Sequence, residues 1–417
     1  MRSRKLSCFD RLTRRAFLKA LGTGALSVAL GKATVYGQEP LTIGLQADLT
    51  GGLATYGYWH LKSARAAVEK INREGGIGGR RVKLVYEDTK TDPATGTRKM
   101  EKLILKEGAD FVIGSQHSGV CLASLPVSRR FEVPYFPIGE ATQITGSEGH
   151  KYVIRINYSV KAHARSGYRW VMENLGTNWT IVYADYAMGQ SALKEWSFGL
   201  KAGGGNLIGK IPVPQGTDDF GPYLRKVNHD RTDVLFIVMY GPDALACVRR
   251  THEMGLHKHM NRFGNTGSVE ALNVEFPGAE GLWSITNYPR RAKQVPEDLK
   301  EYDVYLREKI GLTEEGKDPE TGKIVDASHF WVPWEIIHFI RKASEKAGIS
   351  QNQDPSRFIK FLEGLRVAAS REYPQGEKYI RADDHQGFHS QYIQQVVDGK
   401  LVVEQKLPPE AGEYEPT

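Results

Sequence analysis

Short apolar runs alternate along this chain with longer segments whose apolar residues repeat at helical spacing. Residues 41–47, 81–86 and 110–113 fit buried strands, whereas the segments 58–74 and 93–107 fit helices. Connections that contain a helix join parallel strands, because an antiparallel pair needs only a short turn. The pattern therefore predicts an α/β fold built on a doubly wound parallel sheet.

The same alternation starts again after Ile156 and predicts a second unit of similar size. Its strands fall at 179–183, 207–213 and 233–239, again with helical segments between them. The tail adds further helices and two strands joined at Asp398–Gly399, a residue pair typical of a tight hairpin. A chain of this length exceeds one core, so we expect two lobes with the chain crossing between them more than once.

Two strand-to-helix turns lie close together in the first unit. The run 111–113 ends in the turn Gly114–Ser118, where Ser118 is a candidate N-cap, and the run 133–137 ends in a turn that carries Glu140 and Thr142. Small ligands bind at the carboxyl edge of open parallel sheets, and helix N-termini favour electron-rich groups there. Spacing alone is equally compatible with two ordinary turns.

The N-terminal segment has the features of an export signal. Arg14 and Arg15 stand before Phe17-Leu18 and an apolar stretch that is too short to span a bilayer, and small residues follow near Gly37. The paired arginines resemble the twin-arginine signal of bacteria. We therefore expect residues 1–37 to be removed, which would release a soluble protein into the periplasm.

The formal charge of +7 comes from that segment. Eight of the 56 basic residues and one of the 49 acidic residues lie in residues 1–38, so the remainder is balanced. Charge thus gives no support for nucleic-acid or membrane-surface binding. Cys121 and Cys247 are the cysteines that remain, and because they lie in helices of different predicted units, two buried free thiols are expected.

Other arrangements of reactive residues are weaker. His252, His257 and His259 do not share a helix face as metal ligands would, and the chain has no CxxC pair, Walker loop or nucleophile elbow. No metal, cofactor or catalytic residue is therefore predicted.

Several runs together resemble the branched-chain amino-acid-type periplasmic binding proteins, the solute receptors of ABC importers. They are LTGGLATYG at 49–57, INREGGIGG at 71–79, VYED at 85–88 and RADDHQ at 381–386. The resemblance implies the type I architecture, in which two doubly wound lobes are joined by three crossovers and close on one ligand. We place the crossovers near Arg155, Thr286 and Asp384. Lobe 1 is then 38–155 plus 287–384, and lobe 2 is 156–286 plus 385–417.

The resemblance also implies a site between the lobes. Ser118 matches the family position that holds a ligand oxygen, and Tyr240 matches an aromatic residue that covers the ligand. Glu140 replaces a small hydroxyl residue, whereas Thr266 stands about where amino-acid receptors have an acid. Glu140 either holds a ligand N–H group or pairs with an arginine such as Arg155. The remaining expected site residues are Tyr56, Gln116, His117 and Tyr186; Tyr56, Trp59 and His60 are equally compatible with helix packing.

The function that we expect is capture of a small polar or amphipathic solute and its delivery to an ABC permease, by a monomer or weak dimer exported through the twin-arginine machinery. Amino acids, amides, urea-like compounds and organic acids all remain open. Two alternatives are a ligand sensor on the same fold, which a neighbouring regulator gene would favour, and a periplasmic enzyme, which bound metal or chromophore would favour.

Overall fold

The computed structural model describes residues 39–265, 276–325, 329–348 and 355–416. Residues 1–37, with the expected export signal, and Thr266 lie outside these ranges. The strands are β1 Leu41–Ala47, β2 Val82–Asp88, β3 Phe111–Gly114, β4 Tyr135–Phe136, β5 Asn178–Ala184, β6 Asn206–Val213, β7 Val234–Val238, β8 Asn261–Gly264, β9 Trp283–Thr286, β10 Arg366–Val367, β11 Lys378–Ile380, β12 Gly387–His389, β13 Gln391–Val397 and β14 Lys400–Leu407.

The helices lie between these strands, as the periodicity predicts. They are α1 Ala54–Arg73, α2 Pro93–Leu105, α3 Ser118–Phe131, α4 Val160–Asn174, α5 Ala187–Ala202, α6 Gly221–Leu224, α7 Gly241–Glu253, α8 Lys300–Ile310, α9 Val332–Ala347 and α10 Ser356–Leu362. Within the described ranges, no helix combines the length and the apolar character that crossing a bilayer requires.

Two larger sheets form the centres of two lobes. The first has the order β2-β1-β3-β4 and is entirely parallel. The second has the order β14-β13-β9-β8-β7-β5-β6, and its five strands from β5 to β9 run parallel. The α/β class and the two doubly wound lobes are therefore confirmed. The predicted hairpin at Asp398–Gly399 is also present, and it adds two antiparallel strands to the second sheet.

A third, small sheet was not predicted. It consists of β10, β11 and β12 in antiparallel order, and each strand is two or three residues long. Strands this short carry too little alternation to be recognised in a sequence.

Two buried glutamines hold the segments where the chain passes between the lobes. Gln386 accepts a bond from Arg155 Nε at 2.8 Å and donates to Asn157 O at 2.8 Å. Gln375 Nε2 lies 3.1 Å from Asn287 O and 2.9 Å from Ser390 O. The three passes thus run side by side between the two sheets, and we call this region the hinge; motion about it stays a prediction.

The two cysteines are free and buried, as predicted. Cys121 lies in α3 of the first lobe and Cys247 in α7 of the second. Burial raises the pKa of the Cys121 thiol to about 11, so the group stays protonated at neutral pH.

Candidate ligand-binding site

The two predicted turns are bound to each other at the carboxyl edge of the first sheet. The hydroxyl oxygen of Ser118 accepts the N–H groups of Glu140 and Ala141 at 3.0 and 3.1 Å. The N-cap of α3 is His117, whose Nδ1 accepts the N–H of Val120 at 3.3 Å. The prediction that Ser118 caps this helix is therefore wrong, because its hydroxyl instead holds the neighbouring turn.

Asp48 directly follows β1 and hydrogen-bonds the first of these turns, Gly114–Ser118. Its carboxylate accepts the Ser115 hydroxyl at 2.6 Å and the Gln116 N–H at 2.8 Å, and Thr89 donates to it as well. Burial raises the pKa of Asp48 above its ordinary value, although the bonds from Ser115 and Thr89 oppose this effect. The position of Gln116 is thus set by a fully buried acid.

Glu140 lies at the centre of the site and is 1% exposed. Gln116 Nε2 donates to its Oε1 at 2.9 Å, and His329 Nε2 lies 2.9 Å from the same oxygen. Tyr240 donates to its Oε2 at 2.6 Å, and Tyr158 also hydrogen-bonds the carboxylate. Burial acts to raise the pKa of Glu140, but His329 and the two tyrosines outweigh it and hold the pKa below its ordinary value. The carboxylate is therefore ionised, and protein donors occupy the roughly four positions at which a carboxylate accepts hydrogen bonds.

Arg155 does not form an ion pair with the Glu140 carboxylate, although such a pair was one of the two predicted alternatives. Its Nη1 donates to the carbonyl oxygens of Gly139 and Ala141 at 3.0 and 2.8 Å, on either side of Glu140. Its Nε and Nη2 donate to Gln386 and Thr145. Arg155 thus supports the backbone of the turn and joins it to the hinge.

Aromatic rings surround the Glu140 carboxylate. Tyr56 has its ring centre 6.2 Å from that of Tyr240 and 5.7 Å from that of His329. Tyr158 is stacked near His329 at 6.1 Å. On the other side, His117 and Tyr186 stack at 5.0 Å with ring planes 12° apart. Such rings can cover an apolar or cationic portion of a ligand.

The lobes touch each other around these rings. Glu140 belongs to the first lobe, and Tyr240 stands at the end of β7 in the second. A Cβ placed on Gly241 would lie 2.6 Å from Gly52 O, so the two backbones pass very close. At the opposite side, Thr142 N donates to Ser191 Oγ at 3.3 Å. The two lobes are therefore in contact on both sides of the aromatic group.

The structure brings most of the expected residues together and adds others. Tyr56, Gln116, His117, Ser118, Glu140, Tyr186 and Tyr240 all lie in or beside this group. Trp59 instead packs in the hydrophobic core of the first lobe, and its indole N–H donates to Ile324 O at 3.0 Å. His60 has its ring centre 6.3 Å from that of His329, behind the aromatic group.

Four further residues of the site were not predicted from the sequence. Tyr158 and His163 follow the first crossover, Asn265 donates to Tyr240 Oη at 2.8 Å, and His329 precedes α9. Asn265 directly precedes the expected Thr266, which lies outside the described residues, so its role stays a prediction. His329 lies far from Glu140 in the sequence, and no local pattern connects the two residues. In the parts of the chain that the structure describes, no three metal-ligating side chains come together.

Comparison with known proteins identifies the family. The family described as periplasmic binding protein matches residues 40–400. The chain belongs to this family. The Leu/Ile/Val-binding protein of Escherichia coli K12 is 23% identical over 355 residues, which cover 84% of this chain and 89% of the relative. The resemblance drawn from the sequence motifs is thus confirmed.

Solved structures show the same fold. A solute-binding protein of an ABC transporter from Rhodopseudomonas palustris BisB5, in complex with 3,4-dihydroxybenzoic acid, is 21% identical with a TM-score of 0.76, over 89% of this chain and 98% of that one. A leucine-binding protein of Thermotoga maritima is 20% identical with a TM-score of 0.74, over 89% and 99%. This likeness identifies a type I periplasmic binding fold.

Proposed function

We propose that this protein captures a small polar or amphipathic solute between its lobes, in the periplasm, and delivers it to an ABC permease. The observation that carries the proposal is the bond between Glu140 and Tyr240, which joins the two lobes inside a group of aromatic rings. Catalysis is no part of the proposal. The proposal includes the twin-arginine signal at 1–37 and a monomeric or weakly dimeric state. It also includes the lobe limits, which are 38–155 plus 287–384 for lobe 1 and 156–286 plus 385–417 for lobe 2.

The relatives support a range of ligands. They include Leu/Ile/Val-binding proteins and solute-binding proteins in complex with benzoate and with 3,4-dihydroxybenzoic acid. We therefore keep amino acids, amides, urea-like compounds and organic acids as the ligand classes. Closure stabilises the complex only if the ligand contacts both lobes, since equal contacts in open and closed states shift no equilibrium.

Individual roles follow from the contacts. Ser118 accepts two N–H groups, so its O–H remains to donate to a ligand oxygen. Tyr56, Tyr186 and Tyr240 cover the apolar part of the ligand, and His117 supports Tyr186 from the other side. Glu140 holds a ligand N–H group if it gives up one of its protein donors, and Thr266 completes the site beside Asn265.

A thermal-shift screen of the protein from residue 38 onward tests this proposal. Compounds from each of the four classes are added at millimolar concentration. A ligand at about a hundred times its Kd adds about 2.7 kcal/mol to the free energy of unfolding, which raises Tm by a few degrees. We expect at least one class to do so; no stabilisation by any class would contradict capture of such solutes.

A further inference from the structure

The orientation of the Gln116 side-chain amide is set by Glu140. The carboxylate is ionised and can only accept hydrogen bonds, so the NH₂ side of the amide must face it. The backbone N–H of Gln116 is held by Asp48 at 2.8 Å. Both ends of this residue are therefore fixed, and its Oε1 lies at the outer end of the side chain, beside the Glu140 carboxylate.

That oxygen has no hydrogen-bond partner among the described residues. Gln116 is 4% exposed, and its Oε1 is shielded from solvent. A buried carbonyl oxygen without a donor is unfavourable, so such atoms are rarely left without a partner. The position, next to Glu140 and one residue from the His117–Tyr186 stack, lies within the proposed ligand site.

The charge around this oxygen disfavours a ligand anion. The ionised Glu140 carboxylate is its direct neighbour, and the buried Asp48 lies behind the same turn. Arg155 lies on the far side of the second turn, where its Nε, Nη1 and Nη2 all donate to protein oxygens. A ligand carboxylate placed against Gln116 Oε1 would therefore lie next to the acceptor oxygens of Gln116 and Glu140, which repel it.

We propose that Gln116 Oε1 is the acceptor for a ligand N–H group, and that it makes the site select amides or primary amines over the carboxylates of the same shape. Glu140 acts here as a positioning residue, because it forces the Gln116 amide to present its oxygen. This inference rests on the proposed function and names the ligand chemistry of the same site. An amide and an ammonium group share the required donor.

Isothermal titration with matched probes tests the assignment. Isovaleramide, isoamylamine and isovalerate form one set, and benzamide, benzylamine and benzoate form another. We expect an amide or amine to bind at least about tenfold more tightly than the carboxylate of its set, the effect of one hydrogen bond at the upper end of its usual value. The amide and amine arms show whether the donor is neutral or cationic.

Two variants test whether Gln116 sets the preference among the probes. Gln116→Met keeps the length of the side chain and removes the acceptor, so the preference for the amide or amine over the carboxylate should fall to about threefold or less. Gln405→Met, at an exposed position of β14, is the control and should keep the full preference. Glu140→Gln provides a second test if Gln116→Met does not fold, because a neutral amide at 140 no longer fixes the Gln116 orientation, and the preference should fall there too.

Three results would overturn the inference. They are tighter binding of the carboxylates, an unchanged preference in the variants that fold, or a ligand from the wider screen that carries no N–H group. Each of these leaves capture of a solute intact. Absence of binding by every class, in contrast, would overturn the proposed function as well, so the two failures can be told apart.

Discussion

At the scale of single residues, Glu140 determines the chemistry of the site. A buried charge is expensive unless it is fully hydrogen-bonded, and Gln116, Tyr240 and His329 meet that requirement from two lobes and three separate parts of the chain. The sequence identified Glu140 as the unusual acid in a strand-end turn. It could not identify His329, because nearly 190 positions separate the two residues and only the fold brings them together.

The buried residue His163 predicts that the protein loses stability in acid. His163 lies against Tyr158 with no exposed surface, and burial lowers its pKa from 6.5 to about 3. Between these values the unfolded chain binds a proton that the folded protein does not, so the free energy of unfolding falls as pH decreases from about 6.5 to about 3. The slope is about 1.4 kcal/mol per pH unit for this group.

Urea unfolding at pH 7 and pH 5 measures this effect. His163→Asn should lose less stability between the two pH values than the unchanged protein, whereas His229→Asn at an exposed position should match the unchanged protein. Equal losses in all three proteins would show that His163 does not contribute to the acid sensitivity.

At the scale of elements, periodicity was enough to find most helices and strands. β1 was predicted with its observed limits, and the hairpin of β13 and β14 was found from its Asp-Gly turn. The errors concern side chains that serve a distant element. Ser118 was the better helix cap by residue type, and the neighbouring turn uses it instead.

A buried ion pair connects α9 with β11 next to the hinge. Glu335 and Lys378 are 0% and 2% exposed and hydrogen-bond each other, and both also contact Gln375, which holds two of the three crossovers. Burial raises the pKa of Glu335 to about 7 and lowers that of Lys378 to about 8. Burial thus acts against both charges, and the contact between the two groups opposes this effect.

Breaking this pair should destabilise the protein strongly. Glu335→Gln leaves the Lys378 ammonium group buried without its counter-charge, so we expect a loss of about 3–5 kcal/mol in the free energy of unfolding by urea. The double variant Glu335→Met with Lys378→Met removes both charges and should recover most of that loss. Glu297→Gln, in an exposed pair with Lys300, is the control and should change little. A small effect of Glu335→Gln would show that the pair does not fix the hinge.

At the scale of the whole molecule, the two lobes and the hinge explain why the site lies where it does. The carboxyl ends of the parallel strands of both sheets face each other, and the three crossovers lie side by side. The architecture could be predicted, since the repeated α/β pattern and the family motifs span most of the chain. The number and position of contacts across the cleft could not, because they depend on the angle between the lobes.

A close approach of the two backbones, at Gly241 and Gly52, gives a direct test of capture by closure. A Cβ on Gly241 would lie 2.6 Å from Gly52 O of the other lobe, whereas a Cβ on Gly216 would meet no atom within 4 Å. Both glycines have positive φ, 54° and 74°, so alanine brings similar backbone strain to each and a clash between lobes only at 241.

The decisive measurement is the affinity of the first ligand from the screen for the unchanged protein, Gly241→Ala and Gly216→Ala, by isothermal titration. We expect Gly216→Ala to bind like the unchanged protein and Gly241→Ala to bind at least about tenfold more weakly, because the loss of about 1.4 kcal/mol in closure reduces affinity by that factor. Equal affinity of all three proteins would contradict the account, since the ligand would then bind without bringing the lobes together.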